Sequence, residues 1–447
     1  MVLRELYTRP GQLFSRSDVV RSVRELATLG FFNQESINPD VQPNPSDNTV
    51  DINYSVEEAA ADQIRFSAGF AAGYLMLEAG LQFSNFSMRN IFNKSAWRPL
   101  PMGDGQKLSL NVSTLGRYYL YYGLSFTEPW LGGRKPNSLS VSVYQSFYAK
   151  NYEKTDANYG WFNMTGGTIG LGRRLIWPDD YFALFQGLNF KRYSLHNYQS
   201  TYLSVGDGNG KFNLISYSFV LSRNSVSQPL YPRSGSEFQL GLEITPPYSL
   251  LANKDYSTLS ENEKYKWIEM HRWTFKAAWY TELYEKLVMM TRVRFGYLGH
   301  FNSQIGPTPF HRFFLGGDGL SNYSFDSREM VGMRGYANNS LTPGYYNDAN
   351  QGGDMMTKYT LELRYPLSLN PQATIYALTF LEAGNCWLGF KDFNPFDVKR
   401  SAGVGVRIYL PMFGLLGLDW GYGFDDVFGT TGDNHSQFHF SIGGSID

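Results

Sequence analysis

The residue in this sequence best placed for specific chemistry is an arginine inside a long polar segment, Arg334 in Gly332-Met333-Arg334-Gly335-Tyr336. If this segment packs into an interior, its guanidinium needs a carboxylate, because an unpaired buried charge is costly and a bidentate carboxylate is its best partner. Three acids lie on strands predicted downstream, Glu362, Glu382 and Asp419. The chemistry expected is ionic docking of a loop; the alternative is a scatter of charges such as any polar face carries.

Residue patterns for catalysis, metals or cofactors are weak by comparison. The six histidines form no HExxH, and no Gly-x-Ser-x-Gly is present, although His439 and Ser441 share one face of a predicted strand. Gly206-Asp207-Gly208-Asn209-Gly210 is followed by no helix, which favours an external turn over a phosphate loop. The single cysteine, Cys386, can build neither an intrachain disulfide nor a cysteine zinc site. We therefore expect a non-enzyme with no catalytic residue, no metal and no cofactor.

Composition excludes several classes of protein. The chain has 447 residues, 43% hydrophobic and 17% aromatic, which is too apolar for disorder. The net charge of −1 gives no electrostatic support for nucleic-acid binding. No run approaches the roughly 18 apolar residues of a spanning helix. The start, Met-Val-Leu-Arg-Glu, shows no signal peptide, so the chain is either cytosolic or a fragment of a longer precursor.

Residues 1–57 read as a small α/β piece. Ser17 is predicted to cap a helix that stops at Gly30, a turn is predicted over 38–48, and Val50 to Val56 alternate as one strand. One helix and one strand are too little for an independent core. The piece is expected to pack against missing upstream sequence or against a neighbouring domain.

From about residue 62 to the end, apolar and polar residues alternate with period two. We count about sixteen such segments, most of ten or more residues, against about 5 to 6 for a soluble strand. Many end in Tyr or Trp, as at Tyr118–Tyr122 and Trp161-Phe162, which is typical of membrane-interface girdles. These features favour an all-β, antiparallel transmembrane β-barrel over a large soluble β-protein.

The links between segments differ in length. Links at Pro366–Pro371 and Pro411–Gly414 are tight, whereas 224–235, 246–263 and, longest, 300–356 are long, the asymmetry expected of outer-membrane barrels. The longest loop carries apolar anchors such as Phe313-Phe314-Leu315, so it is expected to be packed, either extracellular or folded inward. Strand alternation directs Glu362 and Asp419 inward.

Several motifs together resemble one family. Gly332-Met333-Arg334-Gly335-Tyr336 resembles the loop-six (V/I)RG(F/Y) motif of the BamA branch of the outer membrane protein eighty-five superfamily. Residues 1–57, with Leu29-Gly30-Phe31-Phe32, resemble a last POTRA domain without its first strand. Further landmarks are Phe126-Thr127-Glu128-Pro129-Trp130-Leu131-Gly132-Gly133, Tyr231-Pro232 with Gly235, Phe314-Leu315-Gly316-Gly317 and Phe380-Leu381-Glu382-Ala383-Gly384. The resemblance covers essentially the whole chain.

The resemblance implies a sixteen-stranded barrel at 62–447 with the loop of about 300–356 folded inward and the POTRA piece in the periplasm of a Gram-negative-type bacterium. It implies the central subunit of the barrel assembly machinery (BAM complex), which inserts unfolded outer-membrane protein clients without ATP. Implied partners are periplasmic chaperones, accessory outer-membrane lipoproteins, the lipid bilayer and lipopolysaccharide. It also makes Arg334 of Met333-Arg334-Gly335-Tyr336 the arginine that docks against Glu362, Glu382 or Asp419. Met333 replaces the usual Val or Ile, and Glu382 stands where many members have Asp.

Closing such a barrel needs hydrogen bonds between its first strand, about 63–71, and its last, about 437–446. Glycines at Gly69, Gly443 and Gly444 weaken this pairing, so the seam is predicted to act as a lateral gate. Opening it exposes backbone groups that a client strand can satisfy by edge addition. The outward row of the last strand, Phe438, Phe440 and Ile442, is expected to contact either lipid or client.

Two other functions stay open. A passive porin would lack the POTRA-like piece at 1–57. A two-partner-secretion-type translocator of the same superfamily would export an unfolded chain through the lumen, and a large constitutive conductance would favour either alternative.

Overall fold

The computed structural model describes residues 2–28, 32, 37–57, 62–71, 74–97, 99–133, 135–200, 203–252, 254–318, 328–344, 352–370, 373–410, 414–427 and 435–442. The helices are α1 Val2–Glu5, α2 Arg16–Thr28, α3 Tyr248–Leu251 and α4 Glu261–Lys264, with 3-10 turns at Arg89–Phe92, Lys94–Ala96 and Phe390–Asp392. The strands are β1 Asn38–Asn44, β2 Thr49–Ser55, β3 Asp62–Ala71, β4 Tyr74–Phe86, β5 Gln106–Thr114, β6 Tyr119–Glu128, β7 Asn137–Ala149, β8 Trp161–Arg174, β9 Phe182–His196, β10 Gly210–Asn224, β11 Gly235–Ile244, β12 His271–Tyr284, β13 Leu287–Gly299, β14 Phe313–Leu315, β15 Glu329–Val331, β16 Met355–Asn370, β17 Ala373–Trp387, β18 Lys399–Leu410, β19 Gly414–Gly423 and β20 Ser436–Ile442.

The chain forms two compact units, residues 1–66, 78–112 and 122–142 in one, and residues 67–77, 113–121 and 143–447 in the other. None of the helices in the described part of the chain combines the length and apolarity needed to cross a bilayer.

In the first unit, α2 packs on a two-stranded antiparallel sheet of β1 and β2. The helix begins one residue before the predicted cap Ser17, and the hydroxyl of Ser15 accepts the backbone N–H of Asp18 at 3.3 Å instead. The turn predicted from residue 38 is wrong, because residues 38–44 form β1, in which Pro39 and Pro43 face Tyr54 and Val50. Predicted stop residue Gly30 lies outside the described residues.

The long strands form one sixteen-stranded sheet in which neighbours in the chain are neighbours in space. The one skip is β13 to β16, since β14 and β15 belong to the loop between them. From β8 to β20 the neighbouring strands of the sheet pair antiparallel, for example at Thr360 with Glu382 and at Gly405 with Asp419. The sixteen alternating segments predicted from the sequence are thus confirmed as sixteen strands.

Side chains on the two faces of the sheet differ in burial. In β19 the residues Gly417, Asp419 and Gly421 are buried while Leu418 and Trp420 are exposed. We call the buried face the inner face, and the residues between β13 and β16, 300–354, loop six. The alternation arises because successive side chains of a strand point to opposite faces.

The connections of the second unit differ in length at the two ends of the sheet. The link from β12 to β13 is only Glu285-Lys286. The link 225–234, predicted to lie with the long loops, lies instead at the end with the tight turns, because the hydroxyl of Tyr231 donates to the carbonyls of Lys286 and Arg364 at 2.9 and 2.8 Å. Loop six leaves from the other end.

Candidate functional site: a buried arginine on the inner face

The loop-six segment at 331–336 is buried along its whole length, although it belongs to the longest connection in the chain. Gly335 has φ +86°, a left-handed conformation that glycine adopts at little cost, and this turns the backbone after Arg334. Met333 is fully buried in the apolar cluster that contains Leu315 and Val331. The segment is therefore docked on the inner face of the sheet.

Arg334 is completely buried and makes ionic contacts to three strands. Its Nη2 lies 2.7 Å from Oε1 of Glu382 on β17 and 2.6 Å from Oε1 of Glu362 on β16. Its Nη1 lies 3.5 Å from Oδ1 of Asp419 on β19. The backbone N–H of Arg334 also donates to Oε2 of Glu382 at 2.9 Å. Glu382 is thus the principal partner, since it holds both the side chain and the backbone of the arginine.

Three further cations share the same acids. Lys358 lies 3.1 Å from Glu382, Arg364 lies 2.7 Å from Glu362, and Arg407 lies 2.9 Å from Asp419. Each carboxylate therefore touches Arg334 and one cation of the sheet. Taking so many charges out of water is costly, and only mutual pairing offsets that cost, so removing one member leaves an uncompensated charge.

The guanidinium of Arg334 also lies over the ring of Phe380, 3.6 Å from its centroid. This cation–π contact covers one face of the planar guanidinium and leaves the N–H donors in its plane free to bind the carboxylates. Because Phe380 faces Glu362 across the β16–β17 pair, one register position supplies both the ring and a carboxylate.

The two residues around the turn bind β18, β20 and the loop after β19. The backbone N–H of Gly335 donates to Nε2 of His439 at 2.9 Å, and the hydroxyl of Tyr336 donates to the carbonyl of Arg400 at 2.7 Å. Burial raises the pKa of Tyr336 to about 12, so it stays protonated as a donor. Asp425, whose pKa is held below its usual value by hydrogen bonds from Arg400, donates its backbone N–H to Tyr336 at 3.4 Å.

The structure places the other predicted residues as follows. Phe438, 84% exposed, and Phe440 lie on the outer face of β20, and Ile442 ends that strand. Gly69 lies in β3. Gly443 and Gly444 lie outside the described residues, so the lateral seam stays a prediction.

Sequence reasoning missed Lys358 and Arg407, and it noted His439 only as a residue that shares a strand face with Ser441. The signal for the two cations was present, because Lys358 has the same strand parity as Glu362, and Arg407 the same parity as the glycines of β18. His439 and Ser441 do share the inner face, but the imidazole acceptor is taken by Gly335.

The other candidate chemistry in the sequence finds no support in the geometry. Within 206–210, Asp207 accepts the backbone N–H of Asn209 at 3.1 Å, and Gly206 donates to Glu261 of α4 at 2.6 Å, as in a closed turn. Among the described residues, no three His, Cys, Asp or Glu side chains cluster as a metal site would require.

Two family profiles match this chain. Residues 102–446 match the Omp85 superfamily domain, and residues 1–59 match a POTRA profile described as a surface antigen variable number repeat. A "putative outer membrane protein assembly factor" of Treponema pallidum (strain Nichols) is 31% identical over 137 residues, which are 30% of this chain and 14% of that protein. The chloroplastic outer envelope protein 80 of Oryza sativa subsp. japonica is 28% identical over 148 residues, 32% of this chain and 20% of that protein.

Solved structures share the fold. The chain is similar to BamA from Haemophilus ducreyi lacking POTRA domains 1–3, with TM-score 0.63 and 20% identity over 99% of this chain and 81% of that one. CdiB from Escherichia coli gives TM-score 0.58 and 12% identity over 99% of this chain and 73% of that one.

Proposed function

Because this chain belongs to the Omp85 superfamily, an outer-membrane family with β-barrel and periplasmic POTRA domains, we propose that it is an insertase for other outer-membrane β-barrels. The observation that carries the proposal is the docked arginine. Arg334 is fully buried on the inner face and bound to Glu382, Glu362 and Asp419, while the next residue, Gly335, binds His439 of the last strand. The docked loop is thereby tied to the strand beside the proposed seam.

Client strands would be added at the seam between the first and last strands. Where a seam strand is shorter than the hydrocarbon core of about 30 Å, local thinning of the bilayer would ease the entry of a client. Backbone groups freed by opening the seam cost several kcal/mol each in lipid unless a client strand pairs with them. Templated strand addition therefore needs neither ATP nor covalent chemistry.

The docked loop keeps the inner face beside the seam in one fixed arrangement. Breaking one buried ion pair by removing a partner costs about 3–5 kcal/mol. A loop held by three such contacts stays docked while the seam next to it exchanges partners. The clients, chaperones and accessory lipoproteins served in this way are part of the proposal.

The test is a charge reversal scored by outer-membrane protein assembly in cells depleted of the native copy. We expect Arg334→Glu to abolish assembly, because it places a fourth acid among three. Arg334→Glu with Glu382→Arg should restore it more fully than with Glu362→Arg, since Glu382 makes most contacts. Arg117→Glu, the same change at an exposed arginine in the loop after β5, is the matched control. Full activity of Arg334→Glu would contradict the proposal.

A translocator of the same superfamily or a passive porin would instead pass solutes or chains through the interior. Loop six lies against the inner face from Tyr193 on β9 to His439 on β20, which disfavours an open pore. Single-channel recording in planar bilayers separates these functions: we expect small, intermittent currents from the wild type, and a large constitutive conductance would favour either alternative.

A further inference from the structure

A second ionic contact holds loop six on the inner face. In this contact the loop supplies the acid, whereas at Arg334 the loop supplies the cation. Glu329, five residues earlier in the chain, contacts Nη2 of Arg272 on β12, and its Oε1 lies 3.2 Å from Nη2 of Arg294 on β13. Here the acid belongs to the loop and the cations belong to the sheet. The three side chains are only 16–22% exposed, so this is not one of the freely solvated pairs that contribute little.

A short backbone ladder connects the two ion pairs. β15, which begins at Glu329, pairs in parallel with β14, and the ladder continues where Gly317 and Met333 exchange N–H···O bonds of 3.0 and 3.1 Å. Five residues of extended chain span at most about 17 Å. Glu329 and Arg334 are thus the two charged ends of one braced segment, and a shift at the first end moves the second.

The cation that receives Glu329 is itself positioned by the loop. The guanidinium of Arg272 lies 5.4 Å over the ring of Phe313, the first residue of β14, and 4.0 Å from Glu243 on β11. In the β12–β13 pair Arg294 lies opposite Lys276, and Arg272 lies four residues earlier on β12, on the same face. The carboxylate of Glu329 joins the two arginines, so removing it takes a counter-charge from both.

We propose that Glu329 is a positioning residue, a second anchor that sets the place of Arg334 by binding Arg272 and Arg294. Loop six is then clamped to β12 and β13 at one end and to β16, β17 and β19 at the other, which braces the inner face next to the last strand. The inference about docking stands on the contacts alone, and only its consequence for client assembly rests on the proposed function.

The chain contains a built-in reporter of docking. Cys386, its single cysteine, is buried at the end of β17 under loop six, with Sγ 3.5 Å from the carbonyl oxygen of Phe313. Gly353 covers it so closely that a Cβ there would lie 2.2 Å from the sulfur. Undocking the loop therefore uncovers the thiol, whether or not the protein assembles any client.

The experiment measures labelling of Cys386 by a membrane-impermeant maleimide in outer-membrane vesicles that hold the full chain. We expect labelling of Glu329→Arg to be at least tenfold faster than wild type. Glu329→Arg with Arg294→Glu should return to within about threefold, because the pair is restored with its charges exchanged. Asp392→Arg, the same change at an exposed acid of the loop after β17, controls for net charge, and Cys386→Ser gives the background.

Each outcome decides the inference. Unchanged labelling of a folded Glu329→Arg protein, or no recovery in the exchanged pair, would overturn it. Heat-modifiable migration in gels establishes folding; if the reversal does not fold, the nearly isosteric Glu329→Gln is used, and unchanged labelling there is equally contrary. Faster labelling with normal client assembly would uphold the second anchor and count against the insertase, so the two ideas fail separately.

Discussion

Gly421 lies directly against the backbone of Gly335: a Cβ on Gly421 would be 2.6 Å from the nitrogen of Gly335 and 3.1 Å from the carbonyl carbon of Arg334. The turn of loop six thus rests on the bare backbone of β19. Real Cβ atoms are essentially never found within 3.0 Å of another heavy atom, and a backbone neighbour cannot rotate away. The glycine is what lets Arg334 reach its carboxylates.

We expect Gly421→Ala to lift the turn and to weaken docking, although alanine is an ordinary strand residue. Labelling of Cys386 should rise at least tenfold and client assembly should fall, while the barrel still migrates as a folded protein. Gly389→Ala is the matched control, because a Cβ there meets nothing within 4 Å. Wild-type labelling of Gly421→Ala would show that the turn is not seated as described.

A second close approach, Gly296 to Phe313, gives an independent prediction about packing. A Cβ on Gly296 of β13 would lie 2.5 Å from the fully buried ring of Phe313. Gly296→Ala should therefore destabilise by about 1–3 kcal/mol, the usual cost of overpacking. Gly296→Ala with Phe313→Leu should recover part of this loss, measured as the urea midpoint of unfolding in detergent. Additive losses in the double variant would refute the contact.

The charged site could be predicted largely from the sequence because strand alternation decides which side chains face inward. Glu362 and Asp419 were placed on the inner face in this way, and the structure brings them and Glu382 to Arg334. The sequence could not predict which acid makes most of the contacts to Arg334. That choice depends on the register between strands, such as Thr360 opposite Glu382.

The parts that sequence reasoning missed are those where local signals mislead. Residues 38–44 carry Pro39 and Pro43, which predicted a turn. The two prolines have the same parity in β1, and in an antiparallel pair every second N–H points away from the partner, so both fit an edge. Glu329 gave no signal because β14 and β15 are three-residue strands, too short for a periodicity.

Tyr231, in the link between β10 and β11, gives a prediction about stability alone. Its hydroxyl lies 2.9 Å from the carbonyl oxygen of Lys286 and 2.8 Å from that of Arg364, and the residue is 2% exposed. Tyr231→Phe removes the one donor that these carbonyls share and should destabilise by about 1–2 kcal/mol. The melting midpoint in detergent should fall while labelling of Cys386 stays unchanged. An unaltered midpoint would mean that other donors already satisfy both carbonyls.

The docking of loop six should weaken in mild acid because of His311. This residue is buried, with Nε2 2.9 Å from the hydroxyl of Tyr193, and burial lowers the pKa of His311 to about 3. Lys191 and Arg272 nearby also disfavour the imidazolium, and Glu243 opposes them. The docked imidazole is therefore neutral, whereas an undocked one titrates near 6.5.

Because the pKa of His311 is lower in the docked state, the neutral imidazole contributes fully to docking above about pH 6.5. This contribution is lost as the pH falls below that value. Between pH 7.5 and 5.0 the undocked fraction should rise by up to about 30-fold. Burial raises the pKa of Asp354 to about 6, which opposes this change and is common to wild type and variant. The measurement is Cys386 labelling at each pH, divided by the rate for denatured protein at the same pH. His311→Gln, which cannot titrate but can still bind Tyr193, should remove most of the increase, and an equal rise in both proteins would assign the acid response to another group.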